Sequence, residues 1–230
     1  MSLLEIEDLK VKIEKRCLVD IKRFSFEKGF IYTIFGKSGA GKSTFLKALG
    51  SMIKYEGNIY LNGENLKQKY PLTEIRKKVH YIRQVPEFVP GKVIDSLKYI
   101  FSFKSNRDLG FDENYLNVLI DKFGLDRSIL GKDIKNLSGG EKQRISIIRS
   151  LLIRPEFILL DEPTSALDVY TEDNFITFLN GIKNEFGVIV VSHSVDMIIS
   201  SDIKLFFDKC NINRIEEDID TENIRKLIGE

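Results

Sequence analysis

Three short apolar runs stand far apart along the chain: residues 30–35 (FIYTIF), 157–161 (FILLD) and 188–192 (VIVVS), with a further core strand from 203. Each is too short for a helix and apolar almost throughout, the pattern of a buried strand. Residues 3–9 instead alternate apolar and charged side chains, as an edge strand does, and 10–25 continue that β layer irregularly. Residues 58–62 (NIYLN) run into Asn62-Gly63, a hairpin-turn signal. From about 86 to 136 strand runs are missing, while 93–103 and 115–123 have helical spacing. Helices are also predicted over 44–49, over 142–152, where Arg154-Pro155 stops the pattern, and over 221–228; residues 210–213 read as a turn. The pattern predicts an α/β core, an early β layer and a smaller helical insert at about 86–136. At 230 residues these fit one domain over 1–230.

The first chemistry lies between the strand at 30–35 and the helix at 44–49. Residues 36–44 read GKSGAGKST and fit G-x-x-x-x-G-K-[ST], the phosphate-binding P-loop. A triphosphate packs several negative charges into a small volume. Gly36, Gly39 and Gly41 let the backbone curl with its N–H groups inward, and the helix opening near Gly41 adds unsatisfied N–H groups and a positive dipole end. Lys37, Ser38 and Ala40 complete the ATP-binding cradle. Lys42 is placed to reach the β- and γ-phosphates, and Ser43 to ligate Mg²⁺. This loop alone leaves kinases, GTPases and other ATPases open.

The strand at 157–161 ends in Asp161, the Walker B pattern, where a carboxylate holds Mg²⁺ through water. Glu162 follows at once; a carboxylate there can take a proton from the attacking water or orient it. Further on, LSGGEKQ at 137–143 contains a Ser-x-x-Glu capping box, Ser138 with Glu141, at a helix start. Two glycines in that first turn cost helix stability. They make sense where the backbone must approach another object closely.

LSGGEKQ, with the P-loop before it and FILLDE after it, resembles the signature of the ATP-binding cassette (ABC) ATPases. The resemblance covers nearly the whole chain and implies an α/β P-loop NTPase core with an antiparallel β subdomain, made by the early β layer, and an inserted helical subdomain. It implies roles for further residues. Thr44 touches the α-phosphate, Glu162 is the catalytic base, and His193 contacts the γ-phosphate. Gln84 approaches Mg²⁺ and the water, and senses a transport partner. Leu137, Ser138, Gly139, Gly140, Glu141 and Gln143 face the ATP of the opposite subunit. Ser165, Ala166, Leu167 and Asp168 form the D-loop, which crosses the dimer interface. His80 has no motif around it and reads as structural. One position departs from the family: Ile13 stands where an aromatic ring stacks on adenine, and Arg16 offers a guanidinium plane in its place.

Each ATP would then lie between the P-loop of one chain and the signature of another. One copy of each motif implies pairing with a second copy or a close homologue. The remaining composition adds bounds. A net charge of +1 gives no electrostatic reason to expect nucleic acid. Cys17 and Cys210 have no metal-ligand spacing, and no apolar run approaches the ~18 residues of a membrane span. The expected function is the ATP-hydrolysing subunit of a membrane transporter, peripheral on the cytoplasmic face of an integral permease. Residues 85–95, with Phe88 and Val89 between two prolines, are a candidate contact for that partner. The alternative is a soluble ABC ATPase such as the iron–sulfur assembly type.

Overall fold

A computed structural model describes residues 2–14, 16–106, 108–164, 169–215 and 219–229. The apolar runs form the middle of a six-stranded sheet. Its spatial order is β10 (Asn211–Ile215), β9 (Ile203–Asp208), β3 (Ile31–Phe35), β8 (Gly187–Val191), β7 (Phe157–Asp161) and β6 (Val79–Ile82). Five strands run parallel, and only β10 pairs antiparallel, with β9. Strands β3, β7 and β8 are buried end to end, as a parallel sheet covered on both faces demands.

A second, four-stranded sheet has the order β2 (Arg16–Glu27), β1 (Leu3–Ile13), β4 (Glu56–Leu61), β5 (Glu64–Asn65). It is antiparallel throughout. Helix α1 (Lys42–Leu49) contributes Phe45, Leu46 and Leu49 to the core between this sheet and the strands around β3. Short α2 (Leu66–Lys69) and α3 (Leu72–Lys78) lead into β6. The other face of the central sheet packs on α4 (Val93–Tyr99), α5 (Glu113–Lys122), α6 (Gly139–Leu151) and α7 (Val169–Ile182). A small third cluster joins Phe35 to α8 (Val195–Ser200) and α9 (Thr221–Ile228) through Ile198, Ile224 and Ile228. No helix of the described residues is long and apolar enough to cross a membrane.

Several expectations need correction. Strand β1 is not an edge strand; it lies between β2 and β4. Alternation shows that one face is wet, not how many neighbours a strand has. The expected irregular layer at 10–25 is a long ribbon in which β1 pairs with β2 from Leu3↔Glu27 to Ile13↔Arg16, with one register shift. Phe30 stays outside β3 and is 36% exposed. The helix over 93–103 stops at Tyr99 and continues as 3₁₀ turns. Residues 210–213 are not a turn: the turn is Lys209-Cys210, both at positive φ (45° and 69°), and β10 starts at Asn211. Two positive-φ residues suit a tight hairpin, but neither is the Gly or Asn that would announce one.

Strand β7 carries Asp161 at its far end, and its first residue tests how tightly it is held. Phe157 is fully buried and pairs in register with Gly187. A Cβ on Gly187 would collide with the Phe157 ring. Gly187→Ala should therefore destabilise the protein by about 1–3 kcal/mol, the cost of overpacking a tight core. Urea unfolding monitored by circular dichroism measures it; an unchanged midpoint would show that the ring moves aside freely.

Candidate functional site

Strands β3, β8 and β7 are neighbours and parallel, so their C-terminal ends open side by side. Such ends are where open α/β sheets bind ligands. The P-loop leaves β3 there. Gly36 and Gly41 hold φ at 141° and 118°. At Gly41 a Cβ would also stand 2.5 Å from the Leu18 carbonyl oxygen of β2, so both backbone and space require glycine. Gly41 caps α1, and its carbonyl accepts the first helical hydrogen bond, from Phe45 N at 2.8 Å.

Lys42 follows and is only 5% exposed. Its Nζ donates to the carbonyls of Gly36 (2.6 Å) and Lys37 (3.0 Å) and lies 3.1 Å from His193 Nε2. An ammonium has three N–H donors and no acceptor, so all three are engaged. Burial lowers the Lys42 pKa, while Glu162 and Asp161 pull it up.

Ser43 Oγ donates to Asp161 Oδ1 at 2.8 Å, and the Tyr81 hydroxyl donates to Asp161 Oδ2 at 2.7 Å. The buried carboxylate thus accepts on both oxygens, from α1 on one side and β6 on the other. Burial, and then this bond, hold the Tyr81 phenol far above its ordinary pKa. Glu162 takes a left-handed φ of 48°, uncommon for a side chain of its size, and its N–H is fixed to Val191 O at 2.9 Å. Its Oε2 accepts from His193 N–H at 3.3 Å, and Oε1 lies 3.4 Å from His193 Nε2. Burial pushes the Glu162 carboxyl up to about 7; Lys42 and the His193 N–H oppose this, and Asp161 adds to it.

Lys42, Ser43, Glu162 and His193 line an open cleft of about 520 Å³, completed by Gly41, Ser38, Gly39, Thr44, Gln84 and Leu18, and Ser43 links it to Asp161 behind. The donor set fits a nucleotide with a hard cation. The glycine cradle has no Cβ directed into it at Gly39. Ser43 and Asp161 bring two hard oxygens together, as Mg²⁺ prefers. Among the described residues no cluster of three or more His, Cys, Asp or Glu side chains could hold a metal.

Other predicted residues lie elsewhere. Ile13 and Arg16 pair at the far end of the β1–β2 ribbon, outside the cleft lining, with Ile13 55% exposed. Leu18 lines the cleft instead; its type carries no signal, and only the close approach to Gly41 brings it in. The expected capping box is present: Glu141 N–H donates to Ser138 Oγ (3.1 Å), and Ser138 N–H to Glu141 Oε2 (2.8 Å). Ser138 and Gly139 are exposed, but Leu137 and Gln143 are 5% and 3% exposed. Within the single chain those two are therefore far less accessible than Ser138 and Gly139. Residues 165–168 lie outside the described residues. His80 is half-buried, its Nδ1 is 3.0 Å from the Arg76 carbonyl, and desolvation lowers its pKa, in keeping with a structural role. Sequence reasoning missed Tyr81, whose approach to Asp161 depends on the pairing of β6 with β7.

Comparison with known proteins agrees with this geometry. A family model described as ABC transporter matches residues 19–165. The phosphate import ATP-binding protein PstB of Mycoplasma mobile is 31% identical, over 88% of this chain and 77% of that one. ABC transporter I family member 17 of Arabidopsis thaliana is 33% identical, over 86% and 73%. The dimeric post-hydrolysis structure of the ATP-binding cassette MJ0796, bound to ADP and Pi, superposes with a TM-score of 0.78 at 23% identity, over 94% of this chain and 99% of that one. The family model spans more than half of the chain, relatives above 30% identity cover most of it, and the chain belongs to the ABC transporter family as one of its ATP-binding cassettes.

Proposed function

We propose that the chain binds Mg²⁺-ATP in this cleft and hydrolyses it as half of a head-to-tail dimer that drives an integral membrane permease. The observation that carries the reading is the convergence of Lys42, Ser43, Asp161, Glu162 and His193 on one set of strand ends. The P-loop backbone and Lys42 bind and orient the phosphates. Ser43 and Asp161 hold the cation, with Gln84 beside them at the exposed side. When bound, Mg²⁺ offsets the charge on the phosphate oxygens. Glu162 orients the attacking water and takes its proton; His193, beside it, steadies the γ-phosphate. Ile13 and Arg16 stand outside the lining of the cleft, so a base extending past the phosphates would meet at most an alkyl chain and a guanidinium plane, and base discrimination is weak.

Two surfaces support the partners. Ser138 and Gly139 are exposed at the start of α6 yet absent from the lining of the chain's own cleft; a second copy or homologue supplies the nucleotide they face. The MJ0796 cassette is described as a dimer. A groove of about 540 Å³ beyond Gln84 is lined by Phe88, Val89, Tyr99 and Phe103, and Val85 nearby is 72% exposed. An apolar patch of this kind favours docking on a permease at the cytoplasmic face over a soluble assembly role.

Glu162→Gln keeps shape but cannot take the proton. The variant should bind ATP, turn it over very slowly and collect as an ATP-bound dimer on size exclusion. A monomer at saturating Mg²⁺-ATP, or turnover near wild type, removes Glu162 from the role of base. In the wild type, Glu162 works only as the carboxylate, the form above its pKa. kcat/KM should therefore rise with pH through about 7 and level off above it. A profile already flat through that range would place the base elsewhere.

Ser138→Arg should abolish hydrolysis and leave ATP binding by the monomer intact, because Ser138 serves only the partner's nucleotide. Nucleotide titration of the monomer decides it: a loss as large as that of Lys42→Ala would put Ser138 in its own chain's site. At the other surface, Val89→Asp should leave the ATPase of the isolated subunit unchanged while reducing its recovery with membranes that contain the permease; full recovery would move the docking site away from this groove.

A further inference from the structure

The ribbon of hydrogen bonds around Asp161 contains one residue that the proposed chemistry does not use. Tyr81 neither lines the cleft beside the P-loop nor belongs to any of the motifs. It faces a second opening of about 500 Å³, which shares Ser43 and Gln84 with the cleft and also exposes Asp161. There its hydroxyl donates to Asp161 Oδ2 at 2.7 Å, while Ser43 holds Oδ1 at 2.8 Å. The side chain packs against the core cluster that contains Leu46 and Leu49 of α1, and its Cβ lies close to the end of that helix. A Cβ on Gly50, the residue that ends α1, would come within 3.0 Å of Tyr81 Cβ. Tyr81 thus touches α1 at its last turn and, through Asp161, at its first.

We infer that Tyr81 is a positioning residue for the divalent cation: its hydroxyl locks the rotation of the Asp161 carboxylate so that the oxygen toward Ser43 stays aimed at the metal. The inference rests on the assignment of Ser43 and Asp161 to the cation proposed above. Two effects of the phenol oppose each other. By donating, it draws charge from the carboxylate and weakens its pull on a cation. By locking the carboxylate, it removes the freedom that a rigid octahedral ion would otherwise have to freeze out. Mg²⁺ demands near-ideal geometry at short range, and a buried carboxylate that loses a donor turns toward whatever donor remains. Orientation therefore wins, and removal of the hydroxyl weakens the metal. Tyr81→Phe isolates that hydroxyl, because the ring and its packing on Gly50 are kept.

The test measures the affinity of a non-hydrolysable ATP analogue by calorimetry, once with Mn²⁺ and once with EDTA, so that no turnover enters. The ratio of the two affinities is the gain the metal provides. In Tyr81→Phe this ratio should fall by about 10-fold, the lower end of what partners of metal ligands contribute, while the affinity in EDTA stays at the wild-type value. The electron paramagnetic resonance spectrum of the bound Mn²⁺ should broaden or shift as its surroundings lose their fixed carboxylate. Asp161→Asn should reduce the ratio at least as far, and the double variant should be no worse than Asp161→Asn alone, because Tyr81 acts only through Asp161. An unchanged or larger ratio in Tyr81→Phe overturns the inference. So does a loss of affinity in EDTA with the ratio intact, which would make Tyr81 a support of the loop, and so do additive losses in the double variant. An unchanged ratio in Asp161→Asn overturns the metal assignment itself, and the inference with it.

Discussion

A lysine ammonium that is 5% exposed is the constraint around which this site is arranged. Removed from water, it must find a partner for each N–H or lose its proton. Lys42 finds two in the carbonyls of the loop that precedes it and one in the ring of His193. The first two fold the loop back over the ammonium and dictate where its glycines must turn. The third ties the end of β3 to the end of β8. The carboxylates of Asp161 and Glu162 supply the opposing charge, and both raise the Lys42 pKa against the burial that lowers it. The same arrangement reads in reverse at Glu162. Its carboxyl is pushed up by burial and pulled down by Lys42, so any group that draws the ammonium away makes Glu162 a stronger base.

The parts of the fold set by local pattern were legible in the sequence. Strands β3, β7 and β8 are short, apolar on both faces and buried end to end, and the order in which the motifs follow them placed the chemistry at their C-terminal ends. The capping box at Ser138 and the terminal helix α9 were legible for the same reason, since both depend on residues three or four apart. What escaped depends on neighbours distant in sequence. Whether β1 has one partner or two is decided by β4, some fifty residues on. The Lys209-Cys210 turn carries none of the usual turn residues, so the strand after it was hidden.

The site shows the same division. Lys42, Ser43, Asp161, Glu162 and His193 sit in motifs, and they meet. Leu18 and Tyr81 sit in none. They reach the site because β2 passes beneath Gly41 and because β6 pairs with β7 one residue-step from the Asp161 carboxylate. Leu137 and Gln143 lie within the signature motif yet are buried in the single chain, at the start of the layer where the apolar face of α6 is covered. A motif names a segment, whereas the division of its side chains between surface and core belongs to the helix that carries it.

The capping box has a consequence for how the start of α6 meets anything placed before it. Glu141 and Ser138 satisfy each other's backbone N–H groups within the chain. Of the first turn, only the N–H groups of Gly139 and Gly140 remain to be offered outward. The helix end is therefore a two-pronged fork. Its prongs carry no side chains, and its spacing is set before any partner arrives. Such a fork selects by distance and direction alone. In the dimer proposed above, the two prongs would have to meet one tetrahedral group together, so the angle at which a partner chain presents it would matter as much as its distance.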